Sequence, residues 1–152
     1  MWALGIVAGI VAADGCIKNY MEQRGKQANK TYGKISIKHC QNKGAMYSLG
    51  QNRPDLVRKA SVVINGGVAY KWMIARGKKK NGMERIGYSM LLGGGISNLW
   101  DRWKRGYVVD YLHVNVAYIK KLIFNLSDVC IMFGGILVVL SKLFGEKENN
   151  HK

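Results

Sequence analysis

The feature that most constrains this chain is a set of carboxylates lodged in apolar sequence. Residues 93–128 read GGGISNLWDRWKRGYVVDYLHVNVAYIKKLIFNLSD and carry Asp101, Asp110 and Asp128, three of the nine acidic residues among 152. A carboxylate beside strongly apolar sequence is costly to bury unless it is paired or hydrogen-bonded. An asparagine stands three residues ahead of two of them, in Asn98-Leu-Trp-Asp101 and Asn125-Leu-Ser-Asp128. Residues three apart share a helix face, so each asparagine is expected to point with the aspartate that follows it and to hydrogen-bond it without adding charge.

Charge distribution says what surrounds these acids. The formal charge is +15, with 24 Lys and Arg against 9 Asp and Glu. A basic nucleic-acid binder would show a stripe of cations, whereas here the cations cluster between charge-poor stretches, so no nucleic-acid partner is expected. Averaging those basic loops with apolar runs produces a mean hydropathy of −0.10, which hides the apolar runs. The length suits one domain, 1–152.

The runs predict a mainly α membrane protein with four transmembrane helices, at about 1–20, 54–75, 84–102 and 122–144. In the first, Asp14 is the only charge up to Ile17. It lacks the basic n-region and A-x-A-like cleavage site of a signal peptide. Asp14 and Lys18, four apart, are placed to pair on one helix face, or to snorkel together at an interface. Pro54 suits the first turn of the second helix. Arg58, Lys59 and Lys71 closely flank its uncharged centre, so a buried or interfacial helix stays open there. The third has fifteen uncharged residues, Ile86 to Trp100. Its Gly93-Gly94-Gly95 would let neighbouring helices approach closely. In the fourth, Asp128 is the only charge until Lys142.

Between the first two helices, about 22–52, the sequence predicts a small β element. Lys34 to Cys40 alternates, with Ile35, Ile37 and His39 on one side and Lys34, Ser36 and Lys38 on the other. Gln41-Asn42-Lys43-Gly44 is turn chemistry. His39 is read as a structural or surface residue and not as a ligand. Three cysteines without C-x-x-C spacing support neither a disulfide framework nor zinc. Cys16 and Cys130 are read as small hydrophobes.

Four spans put both termini on one side with the short basic loop 76–82, which the positive-inside rule makes cytoplasmic. Residues 22–52 and 103–121 then lie outside, although 22–52 is also basic and obeys the rule only in part. This topology brings Asp14, Asn42, Asp101, Asp110 and Asp128 towards one membrane face. Two close carboxylates share a proton, so one can activate water while the other donates a hydrogen bond to a peptide carbonyl. That is aspartic-protease chemistry, which asks for no metal and no cofactor. An acid-lined small membrane transporter is the alternative the residues leave open.

Five motifs in order resemble those of lipoprotein signal peptidase (signal peptidase II), a family of bacterial membrane aspartic proteases. Asp14-Gly-Cys-Ile-Lys18 is similar to D-x-x-T-K and Asn42-Lys-Gly-Ala-Met-Tyr-Ser48 to N-x-G-A-x-F-S. Gly93-Gly94 with Asn98-Leu-Trp-Asp101-Arg102 resembles G-G-x-x-x-N-L-x-D-R. Gly106-Tyr-Val-Val-Asp110-Tyr111 resembles G-x-V-V-D-F, and Phe124-Asn125-Leu-Ser-Asp128 resembles F-N-x-A-D. The chain departs from these patterns at Ile17 (for Thr), Tyr47 and Tyr111 (for Phe) and Ser127 (for Ala).

The resemblance implies one integral-membrane peptidase domain with Asp110 and Asp128 as a catalytic dyad. Asn42, Gly44, Asn98, Asp101, Arg102 and Asn125 would surround it, and Asp14 and Lys18 would support the fold. It also implies a multi-pass protein of the bacterial cytoplasmic membrane, with cytoplasmic termini and a site near the outer face. The implied substrate is a prolipoprotein bearing a diacylglyceryl cysteine, cut just before that cysteine. Membrane lipids would be further partners, with Lys residues of 22–52 near lipid phosphates and Ala45, Met46 and Leu49 meeting lipid or signal helix. Inhibition by a globomycin-type cyclic peptide and a monomeric state are expected.

Overall fold

The structure is a computed structural model that describes residues 2–45, 49–77, 82–116 and 119–149. The side chains of Lys26, 115–116, 119–122 and 145–149 are not part of that description. Met46, Tyr47 and Ser48 of the second motif, residues 78–81 of the basic loop and 150–152 of the charged tail lie outside the described residues.

Among the described residues there are four α-helices: α1 (Trp2–Arg24), α2 (Pro54–Gly77), α3 (Gly82–Lys104) and α4 (Leu126–Asn149). They lie close to the expected ranges, and Pro54 does open α2. α1 and Leu126–Phe144 of α4 are long and apolar enough to cross a bilayer. α2 and α3 do not meet that criterion.

The triple glycine explains why α3 sits at the centre, in contact with each of the other helices. Successive helical residues are about 100° apart, so three consecutive glycines open three faces. A Cβ on Gly93 would meet the α1 backbone at Val7 O, 3.2 Å away. One on Gly94 would come within 2.5 Å of Ser127 O of α4, and one on Gly95 would collide with the Asn65 side chain of α2. Further along, Gly87 and Gly134 face each other so closely that a Cβ on either would lie under 3 Å from the other's carbonyl oxygen, at 2.8 and 2.7 Å. Small residues bring α3 and α4 into backbone contact.

The β element is larger than the sequence reading. After α1, the 3-10 turn Gly25–Ala28 leads into β1 (Lys30–Tyr32) and β2 (Ile35–Asn42). Residues read as an outer loop and as the start of the last helix instead form β3 (Val108–Val116) and β4 (Ile119–Phe124). The antiparallel order is β1-β2-β3-β4. β3 is rich in β-branched residues suited to a sheet, and α4 begins only at Leu126, where Asn125 supplies the cap.

Alternation in β2 is also corrected. Ile35, expected on the buried side, is 49% exposed, and Ser36 is buried. A bulge lies between Ile37 and Cys40: Ile37 stands opposite Leu112, yet Cys40 opposite Asp110. One extra residue flips every later side chain to the other face. Asn42 therefore shares a face with Asp110, which an unbroken ladder would not allow.

Candidate active site

The site forms where the first turn of α4, the start of β3, the end of β2 and the second halves of α1 and α3 meet. Its base is charged and fully buried. Lys18 Nζ lies 2.7 Å from Asp14 Oδ2, and neither side chain is exposed, so this i,i+4 pair does not snorkel. The same ammonium reaches Asp101 Oδ2 at 3.3 Å and donates to Asn98 Oδ1 at 2.8 Å and Ser97 Oγ at 3.3 Å. Asp101 is completed by Arg105 and by the Val109 N–H, which donates to its Oδ2 at 3.1 Å. Asp101 thereby pins the start of β3 to the end of α3.

Above this base stand Asp110 and Asp128, whose hydrogen-bond donors among the described residues are neutral amides. Asn125 Nδ2 donates to Asp110 Oδ1 at 2.8 Å, and Asn42 Nδ2 to Asp110 Oδ2 at 3.0 Å. Asn98 Nδ2 donates to Asp128 Oδ1 at 2.8 Å. Asn125 and Asp128 also form a reciprocal cap on α4: the Asp128 N–H donates to Asn125 Oδ1 at 2.9 Å, and the Asn125 N–H to Asp128 Oδ2 at 3.1 Å. This is a capping box, with the carboxylate in the first turn where the helix dipole favours it. Asn125 is thus bonded to both aspartates at once.

Burial first, and then the Asp128 charge, push the Asp110 carboxyl up to about 6, against the pull of its two amide donors. It is thereby poised to hold a proton that an ordinary aspartic acid would lose. Tyr111, the next residue, is also buried. Its phenol donates to Asp14 Oδ1 at 2.9 Å and accepts the Leu126 N–H at 3.0 Å. Burial and the Asp14 charge raise the phenol well above its usual range, so it remains a donor. Arg102 closes the site on the loop side. Its Nη2 donates to Gly44 O at 2.9 Å, while the Gly44 N–H donates to Asn42 Oδ1 at 3.0 Å.

All ten residues singled out in the sequence meet here: Asp14, Lys18, Asn42, Gly44, Asn98, Asp101, Arg102, Asp110, Asn125 and Asp128. The connections differ in one respect from expectation. Asn98 bonds Asp128 and not Asp101 three residues later, because Asp101 is occupied by Lys18, Arg105 and the β3 backbone. Sequence reasoning passed over Ser97, whose hydroxyl donates to Asp14 Oδ2 at 2.6 Å. Its only signal is a place beside Asn98. His39 is structural, its Nε2 lying 3.0 Å from Glu22 Oε2, which ties β2 to α1.

A family model described as signal peptidase (SPase) II matches residues 6–144. This chain belongs to the signal peptidase II family. It is a family of proteases. The lipoprotein signal peptidase of Serratia marcescens is 32% identical over 158 residues, covering 99% of this chain and 90% of its own. That of Fusobacterium nucleatum is 32% identical over 120 residues, covering 79% of this chain and 71% of its own. A bacterial membrane enzyme solved at 2.3 Å by the in meso method superposes with a TM-score of 0.81 at 21% identity, over 99% of this chain and 91% of that one. A second, solved at 1.9 Å, has a TM-score of 0.76 at 21% identity, over 93% and 92%. Those two structures share the fold.

Proposed function

We propose that this protein is a membrane aspartyl endopeptidase that removes the signal peptide from diacylglyceryl-modified prolipoproteins, cutting just before the lipidated cysteine. The observation that carries the reading is Asn125: one amide side chain and its own cap hold two buried carboxylates from different elements in a fixed relation. A water held between Asp110 and Asp128 would lose a proton to the ionised carboxylate as its oxygen adds to the scissile carbonyl carbon. The protonated partner would hydrogen-bond the carbonyl oxygen. Collapse breaks the C–N bond, the nitrogen takes a proton from the dyad, and the products are the signal peptide carboxylate and the free amine of the lipidated cysteine. Asn42, Asn98 and Asn125 orient the dyad, Arg102 and Gly44 shape the loop over it, and Asp14, Lys18 and Asp101 hold the base.

The reading includes one integral domain, 1–152, crossing the bacterial cytoplasmic membrane four times. Its support is an inverted arrangement: Leu4, Val63, Ile64, Trp100 and Phe133 point outward on four helices while Asp14, Lys18, Asp101 and Asn125 fill the interior. Lipid is the solvent that suits such a surface. With cytoplasmic termini, the sheet and dyad lie near the outer face, where a lipidated cysteine would arrive with its acyl chains still in the bilayer. The protein would act as a monomer among membrane lipids, without nucleic acid, and a globomycin-type peptide would block it.

The test is a gel-shift cleavage assay in detergent, with a diacylglyceryl-modified prolipoprotein beside its unmodified precursor. Cleavage of the modified form alone is expected. A folded wild type that cuts neither form would overturn the reading in favour of an acid-lined transporter.

A further inference from the structure

Three hydroxyls in the site end on one carboxylate, and two of them, those of Tyr111 and Ser127, belong to positions where the chain departs from the motifs it resembles. Tyr111 donates to Asp14 Oδ1 at 2.9 Å, and Ser127 Oγ donates to Asp14 Oδ2 at 2.5 Å. We propose that Tyr111 and Ser127 are positioning residues that clamp the first turn of α4, and with it Asp128, to Asp14 and to the strand bearing Asp110. The proposal rests on the endopeptidase reading for its consequence in catalysis, but not for the clamp itself.

The direction of each bond supports a clamp. A phenol has a single proton. Here it goes to Asp14, which leaves an oxygen lone pair for the Leu126 N–H at 3.0 Å. That N–H is one of the groups a helix start cannot satisfy internally. Residues 125 to 128 therefore each have a fixed partner beyond their own helix. Asn125 holds Asp110, Leu126 holds Tyr111, Ser127 holds Asp14, and Asp128 accepts from Asn98. Tyr111 is a second direct tie between the two acid-bearing segments, beside Asn125, because it follows Asp110 in β3 and grips the residue two before Asp128. Asp14 is a firm anchor, since Lys18 and Ser97 take up its remaining capacity. Ile17, a third departure from the motifs, is exposed and has no share in this cluster.

The test uses full-length protein in detergent carrying Tyr111→Phe, Ser127→Ala, both, or Ser127→Thr. Amide hydrogen exchange over residues 126–128 is read beside kcat and KM on the lipidated precursor, and Tm. Tyr111→Phe keeps the ring and removes the hydroxyl. It should speed exchange about tenfold and lower kcat about tenfold, with KM within about twofold, because small displacements of reacting groups act on the chemical step. The double variant should lose less than the product of the single losses, since both act through Asp14. Ser127→Thr should retain wild-type exchange and kcat. A fall in Tm with exchange and kcat per folded molecule unchanged would mean a merely structural role and would overturn the proposal. If wild type fails to cut the lipidated precursor, the endopeptidase reading falls, and the exchange rates alone then decide the clamp.

Discussion

Two acidic centres adjoin in this molecule, and they are treated in opposite ways. Asp14 and Asp101 share one buried ammonium, and Asp101 has Arg105 as well. Among the described residues, Asp110 and Asp128 receive only amide donors, from Asn42, Asn98, Asn125 and the backbone. A cation beside a carboxylate fixes it in the ionised form, whereas neutral amides hold its geometry and leave its protonation to burial and to its neighbour. The first centre is therefore a joint and the second a place where a proton can come and go.

The largest test of that contrast is to neutralise the second centre. On the endopeptidase reading, Asp110→Asn and Asp128→Asn should each lower cleavage about a thousandfold or more while leaving membrane insertion and folding intact, because each would remove a proton carrier. Near-normal turnover by either variant, measured on the lipidated precursor, would show that the two centres were ranked wrongly. Next comes the joint. Lys18→Met leaves Asp14 buried without its cation and Asp101 with Arg105 alone, which should destabilise the fold by about 3 to 5 kcal/mol. Thermal unfolding in detergent reads this directly, and adding Asp14→Asn should restore part of the loss. A Lys18→Met protein as stable as wild type would remove the distinction drawn above.

Much of this contrast was legible in the sequence, and the illegible part has a physical cause. Carboxylates in apolar sequence announced a polar interior, and charge-poor runs with Pro54 located the helices to within a few residues. The glycine triplet announced close helix approach, though not that its members serve three different neighbours. Spacing within a helix says which residues share a face, but not what stands opposite. Asn98 and Asp101 illustrate this: Lys18 bonds both, and Asn98 turns its amide to another helix. The sequence places Asn125-Leu-Ser-Asp128 just inside a helix starting at about 122, and its meaning changes because β4 runs to Phe124, since the same spacing at the helix start itself is a capping box. The bulge that turns Asn42 towards Asp110 depends on strand register, which no local pattern in β2 declares.

Proton traffic at the second centre should be visible in stability as well as in rate. The Asp110 carboxyl rises from an ordinary 3.8 to about 6 in the folded protein. Between those values the folded state binds more protons than the unfolded one, so stability falls as pH rises. The contribution is fully present below about 4, is lost as pH passes about 6, and amounts to about 3 kcal/mol. Asp110→Asn should abolish this pH dependence and be more stable than wild type at neutral pH by a similar amount, as unfolding at pH 4 and 7 would show. Wild-type kcat/KM should decline as pH rises through about 6, when the dyad loses its acid. A flat rate profile from pH 5 to 8 would argue against Asp110 as a proton carrier.

The smallest expected effect sharpens the comparison by holding distance constant. Arg58 Nη2 lies 2.8 Å from Asp55 Oδ1 in the first turns of α2, almost the separation of Lys18 and Asp14, but the two side chains are 41% and 78% exposed. In solvent the Coulomb gain is screened and two flexible side chains must be ordered, so Arg58→Ala should change stability by about 0.5 kcal/mol or less. Unfolding in the same detergent compares this with Lys18→Met directly. Equal losses from the two substitutions would mean that separation governs an ion pair in this protein. The expected difference of several kcal/mol would mean that burial does, which is why one pair reinforces a helix start and the other anchors the site.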